Sequence, residues 1–247
     1  MDIRTKGKDL SFAIILEPDS LPNLVTNMAV KKCAAAAEGY KNGIAYAIRN
    51  LQFPNVALYI DAGHCGWLGW DSNLAPAAKL FAEVLKRAGH GMKIRGFATN
   101  VSNYNAYRVA VREEFTNGSR SWDESHYVNN LAPYLKADGL PQHFIIDVGR
   151  SGRTGIRSSW SEFCNIKDAG FGPSPTTDTD DPIVDALVWV KPGGESDGTS
   201  DPTSPRFDKA CRGPNSNVPA PEGGQWFNAY AVDLIKNANP PIPPAYY

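Results

Sequence analysis

The sequence has no run of about 18 consecutive apolar residues, the length that a membrane-spanning helix needs. Its opening stretch, MDIRTKGKDLSFAIILEPDS, lacks the apolar region and small-residue cleavage site of a secretory signal peptide. Long blocks of Lys or Arg are also missing, and the formal net charge is −1. We therefore expect a globular chain that binds neither nucleic acid nor a membrane surface.

Cysteine is scarce, and the sequence lacks the common cofactor motifs. Cys33, Cys65, Cys164 and Cys211 are too far apart for a CxxC metal or redox motif, although one or two disulfides remain possible. The stretch GRSGR at 149–153 lacks the spacing and the GK[ST] ending of a phosphate-binding loop. We expect no zinc site and no cofactor.

What the sequence does contain is an alternation of short apolar runs with longer helical patterns. The apolar runs predict strands over 12–16, 56–60, 94–98, 144–148 and 185–190. Helices are predicted over 33–50, 76–88, 123–137 and 225–238. Strands that alternate with helices indicate a parallel sheet with helical crossovers, either open or closed into a barrel. No repeat and no linker interrupts the pattern.

Polar and aromatic side chains follow the predicted strands at their carboxyl ends. In chain order they are Asp19; Asp61, His64, Trp67 and Trp70; Asn100 and Asn103; Asp147 and Arg150; and Lys191, Glu195 and Asp197. Folds of alternating strands and helices build their active sites at this edge of the sheet, so these loops are expected to converge on one cleft.

The acidic residues of these loops allow more than one interpretation. Asp19, in LEPDS, is either the N-cap of a helix or a general acid whose pKa is raised by partial desolvation. Glu195 and Asp197, in a glycine-rich loop, are candidates for calcium binding, for capping a turn or for catalysis. A metal at Asp61 and His64 belongs to a further alternative, an unrelated barrel enzyme that uses a metal or phosphate.

The tryptophans and asparagines point to a sugar. Trp67 and Trp70 are either core residues or a platform on which pyranose rings stack, and Asn103 suits recognition of hydroxyl groups because an amide both donates and accepts. Separated carboxylates, indoles and amides, without a nucleophilic Ser or Cys motif, fit hydrolysis of a polysaccharide.

Five stretches carry a family resemblance: LEPDSLPNLVTN, NVALYIDAGHCGWLGW, ATNVSNYN, GRSGR and VWVKPGGESDGTSD. Together, and in this order, they resemble the fungal cellobiohydrolases of glycoside hydrolase family 6. The resemblance implies a distorted (β/α) barrel with a tunnel over the carboxyl ends of its strands. It also implies cofactor-free hydrolysis of β-1,4-glucosidic bonds in cellulose and cello-oligosaccharides with inversion, which releases cellobiose from the non-reducing chain end, and an extracellular location.

The resemblance also assigns roles to individual residues. Asp19 matches the proton donor and Asp197 the proposed base, which in an inverting enzyme lie about 6.5–9.5 Å apart. Sugar-binding positions match Asn27, His64, Trp67, Trp70, Asn103, Phe163, Lys191 and Glu195. Cys164 and Cys211 match a disulfide that pins the long segment from 191 to 224, the segment that roofs the tunnel in exo-acting members.

The sequence departs from the family pattern mainly at its start. Five strands are predicted, which is fewer than the roughly seven or eight strands of such a barrel. We therefore expect residues 1–247 to be a partial cellulase catalytic domain that lacks its first strands and carries no cellulose-binding module. Cys33 and Cys65 are expected to be free thiols. The alternative is a catalytically impaired remnant that only binds β-glucan.

Two triplets are candidate glycosylation sites if the protein is secreted. They begin at Asn100 and Asn117, and Asn117, in a polar run, is the better acceptor.

Overall fold

The computed structural model describes residues 7–244, which form a parallel sheet with helices between its strands. The strands are β1 (Phe12–Leu16), β2 (Val56–Asp61), β3 (Gly96–Thr99), β4 (Phe144–Asp147) and β5 (Val184–Val188). The helices are α1 (Ser20–Thr26), α2 (Lys31–Asn50), α3 (Asp71–Ala88), α4 (Glu124–Ala137) and α5 (Asn228–Lys236). Two short 3-10 turns cover Glu114–Thr116 and Lys209–Arg212.

The strands lie in the sheet in chain order, β1-β2-β3-β4-β5, and each neighbouring pair is parallel. Among residues 7–244, β1 and β5 therefore form the two edges of the sheet. All carboxyl ends point the same way, so the loops that leave the strands share one edge of the molecule, as the alternating pattern predicts.

The two faces of the sheet pack differently because side chains alternate along a strand. Leu58 and Ile60 of β2 join the large apolar cluster that includes residues of α2, α3 and α4. Tyr59, which lies between them, packs instead with Ala98 and Ile145 on the opposite face. Burial on both faces explains why the central strands read as continuous apolar runs.

All five predicted strands are present, but their ends shift. β3 begins at Gly96, two residues later than predicted, and β5 ends at Val188, two residues earlier than predicted. Beyond β5, the backbone N–H groups of Val190 and Lys191 donate to the carboxylate of Asp147 at 3.2 and 3.3 Å. The Asp147 side chain therefore accepts the backbone N–H groups that would otherwise have continued the hydrogen bonding between β4 and β5.

The helices show one omission and two larger boundary errors, beside shifts of one or two residues at the starts of α2 and α4. Helix α1, seven residues long and containing Pro22, was not predicted. Helix α3 begins at Asp71 rather than at Pro76, which the prediction placed in the first turn where proline is tolerated. Helix α5 begins at Asn228 because the preceding residues pair with the roof segment: Phe227 N–H donates to the carbonyl of Gly194 at 2.6 Å.

The cysteines take the expected states. Cys164 and Cys211 form a disulfide that joins the loop after β4 to the roof segment. Cys33 and Cys65 are free thiols, and Cys65 is buried. No helix within residues 7–244 is both long and apolar enough to cross a bilayer.

The two candidate glycosylation sites differ in accessibility. Asn100 is fully buried, and its amide nitrogen donates to the carbonyls of Asn105 and Asp147 at 2.8 and 2.7 Å. Asn117 is exposed. Only Asn117 presents an amide that a glycan could reach.

Candidate functional site

A cavity of about 330 Å³ opens at the carboxyl edge of the sheet. Loops that follow all five strands contribute to it. Its lining residues are Asp19, Asp61, Gly63, His64, Trp67, Val101, Ser102, Asn103, Trp160, Phe163 and Asp197. The expected convergence of these loops on one cleft is thus present.

The first acidic group of the cavity is built by an unusual turn after β1. Glu17 and Asp19 have φ values of 46° and 67°, in the left-handed region that non-glycine residues rarely adopt. Asp19 precedes helix α1, but its side chain makes no capping hydrogen bond and lines the cavity instead. Partial burial of its carboxyl among the neighbouring loops raises the pKa of Asp19, although the residue as a whole remains exposed to solvent.

Asp61, at the end of β2, holds this turn in place. Its Oδ2 accepts the backbone N–H of Asp19 at 2.9 Å and that of Gly63 at 3.2 Å. Burial raises the pKa of Asp61 to about 7, although these two hydrogen bonds act in the opposite direction. In the sequence, Asp61 was recognised as a residue at the site edge, but we predicted no role for it in sugar chemistry. Its position at the end of the strand that precedes His64 was the one feature that could have indicated such a role.

The second acidic group of the cavity, Asp197, is surrounded by donors. Its Oδ2 accepts from Arg150 Nη1 at 2.7 Å, from the backbone N–H of Asn165 at 2.8 Å and from the Tyr104 hydroxyl at 3.0 Å. Lys191 Nζ lies 3.5 Å from the other oxygen, Oδ1. Burial acts to raise the pKa of Asp197, but the charge of Arg150 and these hydrogen bonds outweigh it and hold the pKa below its ordinary value.

Arg150 is itself fixed from several sides. It is 1% exposed, and its guanidinium stacks over the Tyr104 ring at 4.2 Å from the centroid. It also donates to the backbone carbonyl of Ser102. An arginine held this firmly keeps a positive charge beside Asp197, so the cavity contains one carboxyl with a raised pKa and one with a lowered pKa.

His64 is a neutral hydrogen-bonding group. Its Nδ1 lies 3.2 Å from the backbone N–H of Gly66, which donates to it. Burial lowers the pKa of His64 to about 3, and the charge of Arg157 acts in the same direction. The ring proton is therefore on Nε2, and His64 can act only as a neutral donor at that atom.

Three aromatic rings line the cavity: Trp67, Trp160 and Phe163. Trp67 is anchored through its Nε1, which donates to Thr26 Oγ1 at 2.8 Å. Trp160, which the sequence analysis missed, packs directly on Gly66, where an added Cβ would lie 1.9 Å from the ring. Phe163 is 43% exposed. The available signal for Trp160 was its position three residues before Phe163 in the same loop.

The remaining predicted site residues lie outside the cavity lining. Lys191 bridges Asp197 and Glu195, with its Nζ 3.7 Å from Glu195 Oε2. Trp70 donates from its indole nitrogen to the carbonyl of Gly66 at 3.1 Å, just before α3. Asn27 follows α1 and donates to Asn23 Oδ1 at 2.6 Å. Lys191 thus contacts a residue that lines the cavity, Asp197. Trp70 and Asn27 instead bond to Gly66 and Asn23, which do not line it.

The metal alternative has no donor cluster in the described part of the chain. Within residues 7–244, no group of three or more His, Cys, Asp or Glu side chains is arranged to hold a metal ion.

Comparison with known sequences gives consistent matches. The family model described as "Glycosyl hydrolases family 6" matches residues 2–238. "Exoglucanase 3" of Agaricus bisporus is 53% identical over 234 residues, which is 95% of this chain and 53% of that protein. "1,4-beta-D-glucan cellobiohydrolase CEL6B" of Podospora anserina is 54% identical over 240 residues, 96% of this chain and 54% of its own length. The chain spans about half the length of these relatives.

Solved structures are similar over nearly the whole chain. A glycoside hydrolase family 6 enzyme from Coprinopsis cinerea matches with a TM-score of 0.96 and 56% identity, covering 99% of this chain and 68% of that one. Cellobiohydrolase II from Humicola insolens, in complex with glucose and cellotetraose, matches with a TM-score of 0.92 and 49% identity, covering 95% and 66%. The fold of this chain therefore follows the fold of these enzymes over nearly its whole length.

Proposed function

The chain belongs to glycosyl hydrolase family 6, and on that basis we propose that it hydrolyses β-1,4-glucosidic bonds of cellulose and cello-oligosaccharides with inversion, releasing cellobiose from chain ends. One observation carries the proposal: Asp19 and Asp197 line the same cavity and their pKa values are shifted in opposite directions. An inverting glycosidase requires such a pair, a protonated acid and an ionised carboxylate.

Asp19 is the proposed proton donor. Its raised pKa keeps the carboxyl protonated at higher pH than an ordinary aspartic acid. As the bond between the anomeric carbon and the glycosidic oxygen breaks, the proton of Asp19 moves to that oxygen. The hydrogen bond from the Asp19 backbone to Asp61 holds the turn that presents the carboxyl to the cavity.

Asp197 is the proposed partner of the attacking water. Three donors occupy its Oδ2, so Oδ1, with Lys191 nearby, is the oxygen that can accept a hydrogen bond from water. The water oxygen bonds to the anomeric carbon on the face opposite the leaving group, and its proton passes to Asp197. Attack from that face gives inversion.

Trp67, Trp160 and Phe163 are the proposed stacking surfaces for glucose rings. Cellobiohydrolase II of Humicola insolens was solved with glucose and cellotetraose, ligands of the class proposed here. The disulfide between Cys164 and Cys211 supports an oxidising, extracellular location, and it pins the roof segment that favours action at chain ends.

Binding of β-glucan without hydrolysis is the second candidate function. It is favoured by the exposure of the Asp19 side chain, because a solvated carboxyl loses part of the desolvation that raises its pKa.

Cellotetraose separates the two candidates. We expect the chain to release cellobiose as the α-anomer. NMR spectra recorded directly after mixing identify the anomer before it equilibrates. Asp19→Asn should lower kcat about 10²- to 10⁴-fold while calorimetric binding of cellotetraose persists. Release of the β-anomer would contradict inversion. Binding by the unmodified chain without any cellobiose would establish the second candidate instead.

A further inference from the structure

Behind the cavity wall formed by His64 and Asn103 lies a polar network of Asn105, Glu124 and Arg157. All three side chains are buried, and none lines the cavity. Buried polar groups of this kind are costly unless they are hydrogen-bonded, and a network of them fixes the orientation of its members. The groups that it orients here are the two that face the cavity.

Arg157 connects the network to the wall. Its Nη1 donates to Asn103 Oδ1 at 3.0 Å, and its Nη2 donates to Asn105 Oδ1 at 2.6 Å. It is 7% exposed, and among the salt bridges of the described residues none includes Arg157. Its Nη1 also donates to the backbone carbonyl of Glu162 at 3.3 Å. Two side-chain amides and one backbone carbonyl, rather than a carboxylate, therefore receive its buried charge.

The first consequence is a fixed amide at Asn103. Its Oδ1 accepts from Arg157 and also from the backbone N–H of Tyr104 at 2.8 Å. With the oxygen held by two donors, the Nδ2 group is the end of the amide that is left for a ligand. Asn103 consequently offers a hydrogen-bond donor to the cavity.

The second consequence is a fixed tautomer at His64. Asn105 turns its oxygen to Arg157, so its Nδ2 donates to Glu124 Oε1 at 2.9 Å and lies 3.3 Å from His64 Nδ1. The backbone N–H of Gly66 approaches the same ring nitrogen. Two donors at Nδ1 require it to be unprotonated, so the hydrogen is on Nε2.

We propose that Arg157 is a positioning residue for ligand binding: by holding Asn103 and Asn105, it makes this wall of the cavity present two donors, Asn103 Nδ2 and His64 Nε2, to hydroxyl oxygens that accept. The identity of the ligand as a β-glucan rests on the proposed function. The orientation of the two side chains does not, and it can be measured in the free protein.

The test compares Arg157→Met and Arg157→Lys with the unmodified chain. Arg157→Met keeps the side-chain bulk and removes all donors, whereas Arg157→Lys keeps the charge but replaces the planar fork that bridges two amides. Arg153→Met is the matched control, because Arg153 is an exposed arginine nearby that contacts Asn237 at 3.0 Å. Thermal unfolding of each variant establishes that it folds.

The first readout is the kinetics of cellotetraose cleavage. We expect KM to rise about 10- to 100-fold in Arg157→Met, the range for lost hydrogen bonds to a charged donor, while kcat stays within about threefold. The contacts of Asp19 and Asp197 do not include Arg157, which is why kcat is expected to persist. Arg157→Lys should also raise KM, and Arg153→Met should leave both constants unchanged.

The second readout is the ¹⁵N NMR signal of His64 in the free protein. In the unmodified chain we expect one neutral tautomer with the proton on Nε2. In Arg157→Met we expect the pKa of His64 to rise above about 3, because burial still lowers it but the positive charge of Arg157 no longer adds to that effect. Without Arg157 the Asn105 amide is free to turn its oxygen toward Nδ1, where it would accept a hydrogen bond from a protonated Nδ1 in competition with the Gly66 N–H, so we expect mixed tautomers to appear.

The outcomes separate this proposal from the proposed function. If the unmodified chain neither cleaves nor binds cellotetraose, the proposed function fails, while the His64 signal still decides the role of Arg157. A folded Arg157→Met protein with unchanged KM and an unchanged His64 tautomer overturns the proposal. Unfolding of both Arg157 variants also overturns it, since Arg157 is then a structural residue only.

Discussion

Removing the charge beside Asp197 is expected to destabilise the protein most at neutral pH. Arg150→Met deletes a guanidinium that is 1% exposed and lies 2.7 Å from Asp197 Oδ2. It leaves a buried carboxylate without its main partner, which typically costs about 3–5 kcal/mol. Burial, which acts to raise the pKa of Asp197, is then opposed only by the weaker donors Tyr104, Asn165 and Lys191.

The pH dependence of stability follows from the direction in which the pKa of Asp197 is shifted in the unmodified protein and in Arg150→Met. In the unmodified protein the pKa of Asp197 is lowered in the folded state, so its ionised form stabilises the fold above its unfolded pKa. That contribution is lost as the pH falls through the lower folded value. In Arg150→Met the folded pKa rises, so Asp197 takes up a proton as the pH falls. Protonation removes the buried negative charge that has lost its main partner.

Urea unfolding at several pH values between about 4 and 8 measures this effect. The difference in unfolding free energy between Arg150→Met and the unmodified chain should be largest near pH 8 and should shrink toward pH 4. In the double variant with Asp197→Asn, the loss should be smaller than the sum of the single losses, because no charge is left unpaired. A loss that is independent of pH, with additive single effects, would refute this account of the ion pair.

Three further changes test other contacts. Gly66→Ala should lower the affinity for cellotetraose in calorimetry, because its Cβ would lie 1.9 Å from the Trp160 ring and displace it; unchanged affinity would show that Trp160 is not a binding surface. Gly43→Ala, inside helix α2 with nothing within 4 Å of the new Cβ, should instead stabilise the fold by about 0.5–1 kcal/mol without affecting affinity. Cys211→Ser should lower the unfolding free energy by about 2–4 kcal/mol through loss of the bond to Cys164, and equal stability with and without that bond would contradict this.

The strand pattern and the loop positions could be predicted from the residues, and the family from the resemblance of five stretches to known sequences. Apolar runs such as 56–60 and 144–148 indicated strands that are buried on both faces, and these strands are present. Asp19, His64, Trp67, Asn103, Phe163 and Asp197 were predicted site residues, and all six line the cavity. Local spacing sufficed here because parallel strands place the residues that follow them at one edge.

Short or interrupted helices were harder to predict. The seven residues of α1 contain Pro22 and complete only about two turns, too few for a helical period to emerge. Pro76 suggested a late start for α3, although the helix begins at Asp71. In both cases packing against neighbouring elements outweighed the local preference.

The protonation states and the partners of the acidic groups depended on the tertiary structure. Arg150, Asn165 and Tyr104 lie 47, 32 and 93 residues from Asp197 along the chain, yet all three donate to one of its oxygens. No local pattern predicts such a meeting, because it depends on how far each loop extends from its strand. A pKa likewise depends on burial and on nearby charge, and both arise only when distant segments pack together. The residue types and their order therefore indicated the chemistry that we propose, whereas the fold determines the direction in which the pKa of each carboxyl shifts.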